Sequence, residues 1–136
     1  MLRLCLLVAC ALPLAQAQSN SATTIEGKLV VRQGQPSALA TQAHGTVTLD
    51  ADPETQKVLH DKRLDGAELK ARGRFTAPAR FTVDPIHTKA MLVRKDGRLK
   101  LITYWCEICS IRTYSPGECW CCQRETTLDL RDPDAQ

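Results

Sequence analysis

Two Cys-x-x-Cys pairs near the end of the chain constrain its fold more than any other feature. The pairs are Cys106/Cys109 and Cys119/Cys122, and a Pro-Gly turn lies between them. Two residues between cysteines allow both sulfurs of a pair to face one point from a single tight turn. A short hairpin can then bring the second turn opposite the first. The sequence therefore predicts that these four thiolates form one tetrahedral metal site.

The N-terminal segment has the pattern of a secretory signal. Arg3 supplies a positive charge, residues 4–14 are apolar, and residues 15–17 read Ala-Gln-Ala, a cleavage pattern. We predict removal of residues 1–17 and export to the periplasm or the cell exterior. A lipoprotein signal acylated at Cys10 is the less favoured alternative, because few apolar residues precede that cysteine. We expect no transmembrane span in the mature chain, since a spanning helix needs about 20 apolar residues.

The distribution of cysteines favours a ligand cluster over a set of disulfides. Five of the seven cysteines lie within residues 106–122, and the other two lie in the predicted signal. An exported domain held together by disulfides usually spreads an even number of cysteines over its fold, because bridges across long loops restrict the unfolded chain most. Four thiolates give zinc a closed coordination shell, so the expected cofactor is a structural zinc ion.

Three alternatives for the cluster stay open. Iron in the same four thiolates would make an electron-transfer protein, and a cycling dithiol would make a redox protein. Oxidation could instead pair Cys106 with Cys122 and Cys109 with Cys119. Cys121 is left over in each case, so the chain is expected to be a monomer or a disulfide-linked dimer. Covalent c-type haem is excluded, because neither pair is followed by histidine.

The rest of the chain has the alternating pattern of a mainly β protein. The predicted strands are 25–31, 45–49, 68–75, 80–83, 89–94, 98–105, 110–114 and 125–130. One short helix is predicted at 53–61, because Asp52 can cap free backbone amides and Pro53 suits the first helical position. Residues 33–44 are predicted to form a loop. Short strands without βαβ alternation predict a small antiparallel barrel or sandwich.

These elements divide the chain into consecutive parts. The predicted boundaries are a disordered leader at 18–24, an antiparallel β-domain at 25–103, a cysteine module at 104–130 and a tail at 131–136. The cysteine module is expected to pack on the β-domain.

Two resemblances to known families lie within these parts. Residues 104–130 resemble zinc-ribbon and rubredoxin-like modules, in which two cysteine knuckles on adjacent hairpins clamp one metal ion. Residues 114–122 are also similar to the Pro-Gly-x-Cys-Pro-x-Cys segment of small bacterial heavy-metal-binding domains. The resemblance implies the same four ligands, although Ser110 and Gln123 stand where such knuckles usually have glycine. Residues 69–75 resemble the central strand of OB-fold proteins, in which a glycine allows strong bending.

The remaining residues indicate a binding role without catalysis. The net charge of +3 falls to +2 when Arg3 is removed, which is too small to predict nucleic-acid binding. No Ser-His-Asp set, phosphate loop or acid pair is present. His87 is the histidine best placed to approach the metal, and we expect Trp105 and Trp120 to cover it or else to form an exposed patch.

The sequence therefore predicts an exported metal-binding accessory protein with an unidentified protein partner. A redox or electron-transfer protein is the first alternative. A disulfide-stapled, OB-like ligand-binding domain is the second.

Overall fold

The computed structural model describes residues 21–135, which form nine β-strands and two short α-helices. The predicted signal and Cys10 lie outside the described residues. The strands are β1 (Thr23–Val30), β2 (Ala38–Thr41), β3 (Gly45–Asp50), β4 (Glu68–Ala77), β5 (Arg80–Val83), β6 (Met91–Lys95), β7 (Arg98–Cys106), β8 (Ile111–Thr113) and β9 (Thr127–Arg131). The helices are α1 (Pro53–Leu59) and α2 (His87–Ala90), and a 3₁₀ turn occupies Lys62–Leu64. Within residues 21–135, neither helix is long and apolar enough to span a bilayer.

The first five strands close into a barrel. Their hydrogen-bonded order is β1-β2-β3-β5-β4, and β4 pairs again with β1. The pairs are antiparallel except β3–β5, which is parallel. Five strands in a closed ring cannot all be antiparallel to both neighbours, because their number is odd. Closure gives each of the five strands a hydrogen-bonded neighbour on both sides. The mainly β architecture is confirmed, and the closed form is a barrel.

Alternating side chains fill the barrel interior. In β1, Ile25 and Leu29 are buried while Glu26 and Lys28 face solvent. The helix α1 covers one end of the barrel with Val58 and Leu59, which are fully buried. The buried apolar side chains from the strands include Leu39, Val47, Leu49, Leu69, Phe81 and Val93. Removal of this apolar surface from water is the main force that stabilises the barrel.

The start of α1 follows the local chemistry that its sequence predicts. The Asp52 carboxylate accepts hydrogen bonds from the backbone N–H groups of Glu54 and Thr55, at 3.1 Å each. It also accepts a hydrogen bond of 2.6 Å from the Thr55 hydroxyl. These bonds satisfy amides that the helix itself cannot pair. The helix ends at Leu59, two residues before the predicted limit.

Two elements of the structure correct the sequence prediction. The strand β2 lies inside residues 33–44, which were predicted to be a loop. It buries Ala38 and Leu39 and pairs with both β1 and β3, so tertiary contacts give this segment its extended form. The single turn α2 occupies the start of the predicted strand 89–94, which consequently begins at Met91.

Three predicted boundaries also shift. The strand β1 begins at Thr23, so the last two residues of the predicted leader at 18–24 belong to the sheet. The strand β7 continues through the boundary drawn between 103 and 104. The strand β9 includes Arg131, the first residue of the predicted tail.

Gly73 is the residue of β4 that is paired with both β1 and β5. It pairs with Thr23 of β1 on one side and with Val83 of β5 on the other. A Cβ atom at this position would overlap the carbonyl oxygen of Thr82 and approach the Phe81 ring to 2.9 Å. A residue with a Cβ atom therefore does not fit at position 73 while β4 and β5 keep this pairing.

The last three strands form a separate ladder that carries the cysteines. The hairpin β6–β7 is attached to the barrel by pairing of β6 with the first part of β4. The second half of β7 pairs with both β8 and β9. The guanidinium of Arg63 joins this ladder to the barrel end. It donates to both Asp61 carboxylate oxygens, and its Nη1 donates to the Thr126 carbonyl oxygen at 2.8 Å. The Ser115 hydroxyl donates to Glu54 of α1 at 2.9 Å.

His87, the first residue of α2, is buried with its ring near β7, and we expect it to make stability depend on pH. Burial lowers the pKa of its imidazole below the ordinary value of 6.5, although the nearby Ile102 carbonyl, 3.4 Å from Nε2, acts in the opposite direction. The unfolded chain therefore binds more protons than the folded chain between the folded pKa and about 6.5, so stability falls as pH falls through that window. Urea unfolding at pH 7 and pH 5 measures the effect. His87→Gln should lose less stability than wild type between these pH values, and an equal loss in both would contradict the assignment.

Candidate metal centre

The two Cys-x-x-Cys pairs occupy turns at the same end of the ladder. Cys106 is the last residue of β7, and Cys109 lies in the turn before β8. Cys119 and Cys122 lie in the turn before β9. The four Sγ atoms lie within 4.8 Å of one another, and the Sγ atoms of Cys106 and Cys122 are 3.5 Å apart. The structure thus brings together the four cysteines that the spacing predicts as ligands.

The dimensions and chemistry of this group fit a metal ion. A zinc ion with four Zn–S bonds of about 2.3 Å requires sulfurs roughly 3.8 Å apart in a tetrahedron. The observed cluster has separations of up to 4.8 Å, so small movements of the side chains would form such a shell. Thiolates are the donors that zinc and iron–sulfur centres prefer. Four of them leave no open coordination position, so the arrangement suits a structural ion and gives no site for a substrate.

The two turns have the same backbone geometry. The N–H of Ser110 donates to the carbonyl oxygen of Cys106 at 2.8 Å, and the N–H of Gln123 donates to that of Cys119 at 2.8 Å. Ser110 has a φ of 53° and Gln123 has a φ of 58°, so both lie in the left-handed region. These are the positions at which related knuckles usually have glycine. The departure in sequence therefore leaves the turn conformation intact, at a cost in local strain.

Glycine at either of these two positions should stabilise the protein. A side chain in the left-handed region costs roughly 1–2 kcal/mol, and the greater freedom of glycine in the unfolded chain offsets part of the gain. We expect Ser110→Gly and Gln123→Gly each to raise the free energy of unfolding by about 0.5–1 kcal/mol. Urea unfolding of the metal-loaded chain measures this. Arg124→Gly, in the same turn as Gln123 but outside the left-handed region, is the control and should destabilise; a loss of stability in all three variants would contradict the assignment.

The thiols of the cluster differ in acidity. Hydrogen bonds to the Cys119 sulfur, above all from the backbone N–H of Cys122, lower the pKa of that thiol to about 7 against the effect of burial. At Cys106 the N–H of Cys109 donates to the sulfur and acts to lower the pKa, but burial and contact with the Cys122 and Cys119 thiols raise it overall. Because metal binding must displace the thiol protons, affinity is expected to fall in acid.

Accessibility divides the ligands into an inner and an outer pair. Cys106 and Cys119 are buried, whereas Cys109 and Cys122 are half-buried. Cys121 is exposed and is not part of the group of four sulfurs.

Of the two alternatives expected for the tryptophans, cover of the site or an exposed position, Trp120 has the exposed one, since 78% of it is open to solvent. Ile108 is 66% exposed and Tyr114 is 55% exposed. We call Ile108, Tyr114 and Trp120 the apolar knuckle surface. Trp105 is half-buried on the ladder, where the Arg112 guanidinium lies 5.2 Å from its ring centre. The exposure of Ile108 and Tyr114 was not anticipated, since solvent contact depends on packing that no local pattern records.

The histidines contribute no ligand within the described residues. The group of potential ligands consists of cysteines alone, so the approach of His87 to the metal is not observed. His60 lies near the carbonyl oxygens of Gln56 and Gln35, and the His44 ring lies 4.8 Å from the Phe75 ring.

A groove of about 610 Å³ lies on the outside of the barrel, and no cysteine lines it. It crosses β1 and β4 beside the turn between β2 and β3. Glu26 forms ion pairs there with Lys70 at 3.1 Å and with Arg94 at 3.4 Å. These opposite charges largely cancel, and exposed pairs of this kind contribute little stability.

The fold and the site together define a class: a closed five-stranded barrel that carries a cluster of four cysteines on an added ladder. Comparison with protein-family models, with curated proteins and with solved structures gives no match.

Proposed function

We propose that this chain is an exported metal-binding β-protein whose four cysteines hold a structural zinc ion. The convergence of the four sulfurs from two turns of matching geometry carries the proposal. The ion would add to the stability of the ladder, whose strand β7 already buries Ile102 and Tyr104 in the hydrophobic core. Export follows from the signal pattern of the sequence.

We place the barrel in the OB-like class. The strand order, the parallel pairing of β3 with β5 and the position of α1 between β3 and β4 support this assignment. The knuckle turns support a module of the zinc-ribbon or rubredoxin-like type, attached to the barrel through Arg63 and Ser115.

Zinc is favoured over iron because zinc does not change oxidation state, and a structural site with a closed shell of four ligands needs no redox chemistry. Titration of the reduced chain with cobalt(II), followed by displacement with zinc, tests the choice. About one equivalent of each ion should bind, with the absorption of four thiolate ligands in the cobalt form. Purification of a coloured iron protein that undergoes reversible reduction would instead support the electron-transfer alternative.

The biological role we propose is that of an accessory protein that binds another protein through the apolar knuckle surface. Ile108, Tyr114 and Trp120 each expose a large apolar side chain on or near the two knuckle turns, and exposed side chains of this kind can serve as anchors for a protein partner. The exposed acidic residues Glu107 and Glu118 lie close in sequence to this surface, Glu107 directly before Ile108 and Glu118 two residues before Trp120. The partner surface should therefore be apolar with a basic margin.

Site-specific cross-linking in the exported compartment tests this role. A photoreactive residue at position 120 should give a discrete adduct with one protein. The same group at Ile86, which is 58% exposed on the barrel side of the chain, is the matched control and should not. Equal labelling from both positions would indicate random contact and would contradict the proposed surface.

A further inference from the structure

The second knuckle is the tip of a small closed hairpin. At its base, the backbone N–H and the hydroxyl of Thr126 both donate to the Gly117 carbonyl oxygen, at 2.9 Å and 2.7 Å. Nearer the tip, the N–H of Cys119 donates to the Arg124 carbonyl oxygen at 2.8 Å. Because the hairpin is closed in this way, the position of its base largely determines where the sulfurs of Cys119 and Cys122 lie.

Arg63 contacts the supports of both knuckles. Its Nη1 atom donates to the carbonyl oxygen of the buried Thr126 at 2.8 Å, at the base of the second-knuckle hairpin. Its guanidinium carbon lies 5.2 Å from the ring centre of Tyr104, which is fully buried in β7 two residues before Cys106. Its Nε and Nη2 atoms donate to the carboxylate of Asp61, which directly precedes the 3₁₀ turn.

A guanidinium suits this position because its nitrogens lie in one plane at fixed angles. Two of them bind a carboxylate while the third binds a carbonyl oxygen, and the group lies over an aromatic ring. The Asp61 side chain is only 6% exposed, so its pairing with Arg63 is shielded from water. A lysine ammonium is a single point of charge and cannot make these contacts together. Arg63 thus fixes the two knuckles relative to each other and to the barrel end.

We propose that Arg63 is a positioning residue for the metal centre, which holds the two knuckles at the separation that one ion requires. A tetrahedral zinc shell needs sulfurs roughly 3.8 Å apart, and the observed separations are up to 4.8 Å. A shift of about 1 Å between the knuckles is as large as this difference, so their placement decides whether all four sulfurs reach the ion. Arg63 is not a ligand and acts through Thr126 and Tyr104. The inference rests on the proposed metal function and deepens it, because it assigns the geometry of the site to a residue at the barrel end.

Replacement of Arg63 by lysine tests the positioning, with cobalt(II) absorption and zinc affinity as the readouts. We expect about tenfold weaker zinc binding and a weaker, shifted cobalt absorption, because residues that support metal ligands affect both affinity and geometry. Lys62→Ala is the matched control, since Lys62 is the exposed neighbour in the same 3₁₀ turn, and it should match wild type in both readouts. Leu130→Ala, at a half-buried residue of β9 packed against the core, should lower stability to urea but keep the wild-type cobalt spectrum.

A second variant keeps the test decisive if the lysine variant does not fold. Asp61→Asn keeps the shape of the side chain and weakens its hold on Arg63, so it should change the cobalt spectrum and the affinity in the same direction by a smaller amount. If wild type binds metal and both variants keep its spectrum, Arg63 positions nothing, and the inference is wrong while the metal function stands. The same conclusion holds if Arg63→Lys lowers affinity and stability but leaves the spectrum unchanged. If wild type binds neither ion, both are wrong.

Discussion

Replacement of Cys106 by serine is expected to remove the metal ion and to unfold the C-terminal ladder. Cys106 is buried at the end of β7, and its sulfur lies 3.5 Å from that of Cys122. Serine offers no thiolate, and three remaining ligands hold zinc much less tightly than four. Because the free energy of metal binding is also folding energy in small metal modules, residues 100–130 should lose their structure together with the ion.

The effect of Cys106→Ser is measurable as metal content, melting temperature and hydrogen exchange. We expect less than a tenth of the wild-type metal content and rapid amide exchange in β8 and β9, with the barrel strands still protected. Arg124→Ala is the control, because it changes an exposed side chain in the second knuckle and leaves every sulfur in place. A Cys106→Ser protein with full metal content and an unchanged melting temperature would contradict the account.

Substitution of alanine for Gly73 is expected to destabilise the barrel strongly. The added Cβ would overlap the Thr82 carbonyl oxygen, and it would approach the Phe81 ring to 2.9 Å. The backbone of β5 cannot move away without breaking its pairing with β3, so the strain is not easily relieved. We expect a loss of about 3 kcal/mol or more in the free energy of unfolding, at the upper end of the cost of overpacking.

Gly34→Ala provides the matched control for Gly73→Ala. Gly34 has a φ of 67°, and an added Cβ would meet nothing within 4 Å. Alanine there should cost only the strain of the left-handed region, about 1–2 kcal/mol. Urea unfolding of both variants measures the difference. Equal stabilities would mean that steric overlap does not determine the conformation of β4.

The parts of the fold that sequence predicts well are those with strong local signals. The strand Arg80–Val83 matches its predicted bounds, because apolar residues two apart lie between a proline and a turn. The start of α1 follows from the Asp52 cap and from Pro53. The strand β2 has no such signal. Two adjacent residues of β2, Ala38 and Leu39, are both buried, so the strand lacks the alternation of buried and exposed residues that would predict it. Contacts from β1 and β3 decide its conformation.

The candidate site divides in the same way. The clustering of the four cysteines is predictable, because a Cys-x-x-Cys turn fixes the relative positions of its sulfurs locally. The left-handed conformation of Ser110 and Gln123 could not be predicted, because neither position has the glycine that usually indicates it. The exposure of Trp120 depends on how the two knuckles are brought together by β7 and β9, which no local pattern records.

Elemental analysis combined with thiol counting tests the central claim most directly. The chain would be exported to its own compartment and purified without chelator, and its thiols would be titrated under denaturing conditions without reducing agent. The account predicts about one zinc ion per chain and five titratable thiols, since all five cysteines of residues 106–122 are then reduced. No bound metal and a single free thiol would mean that two disulfides hold the ladder together, and would contradict the metal centre.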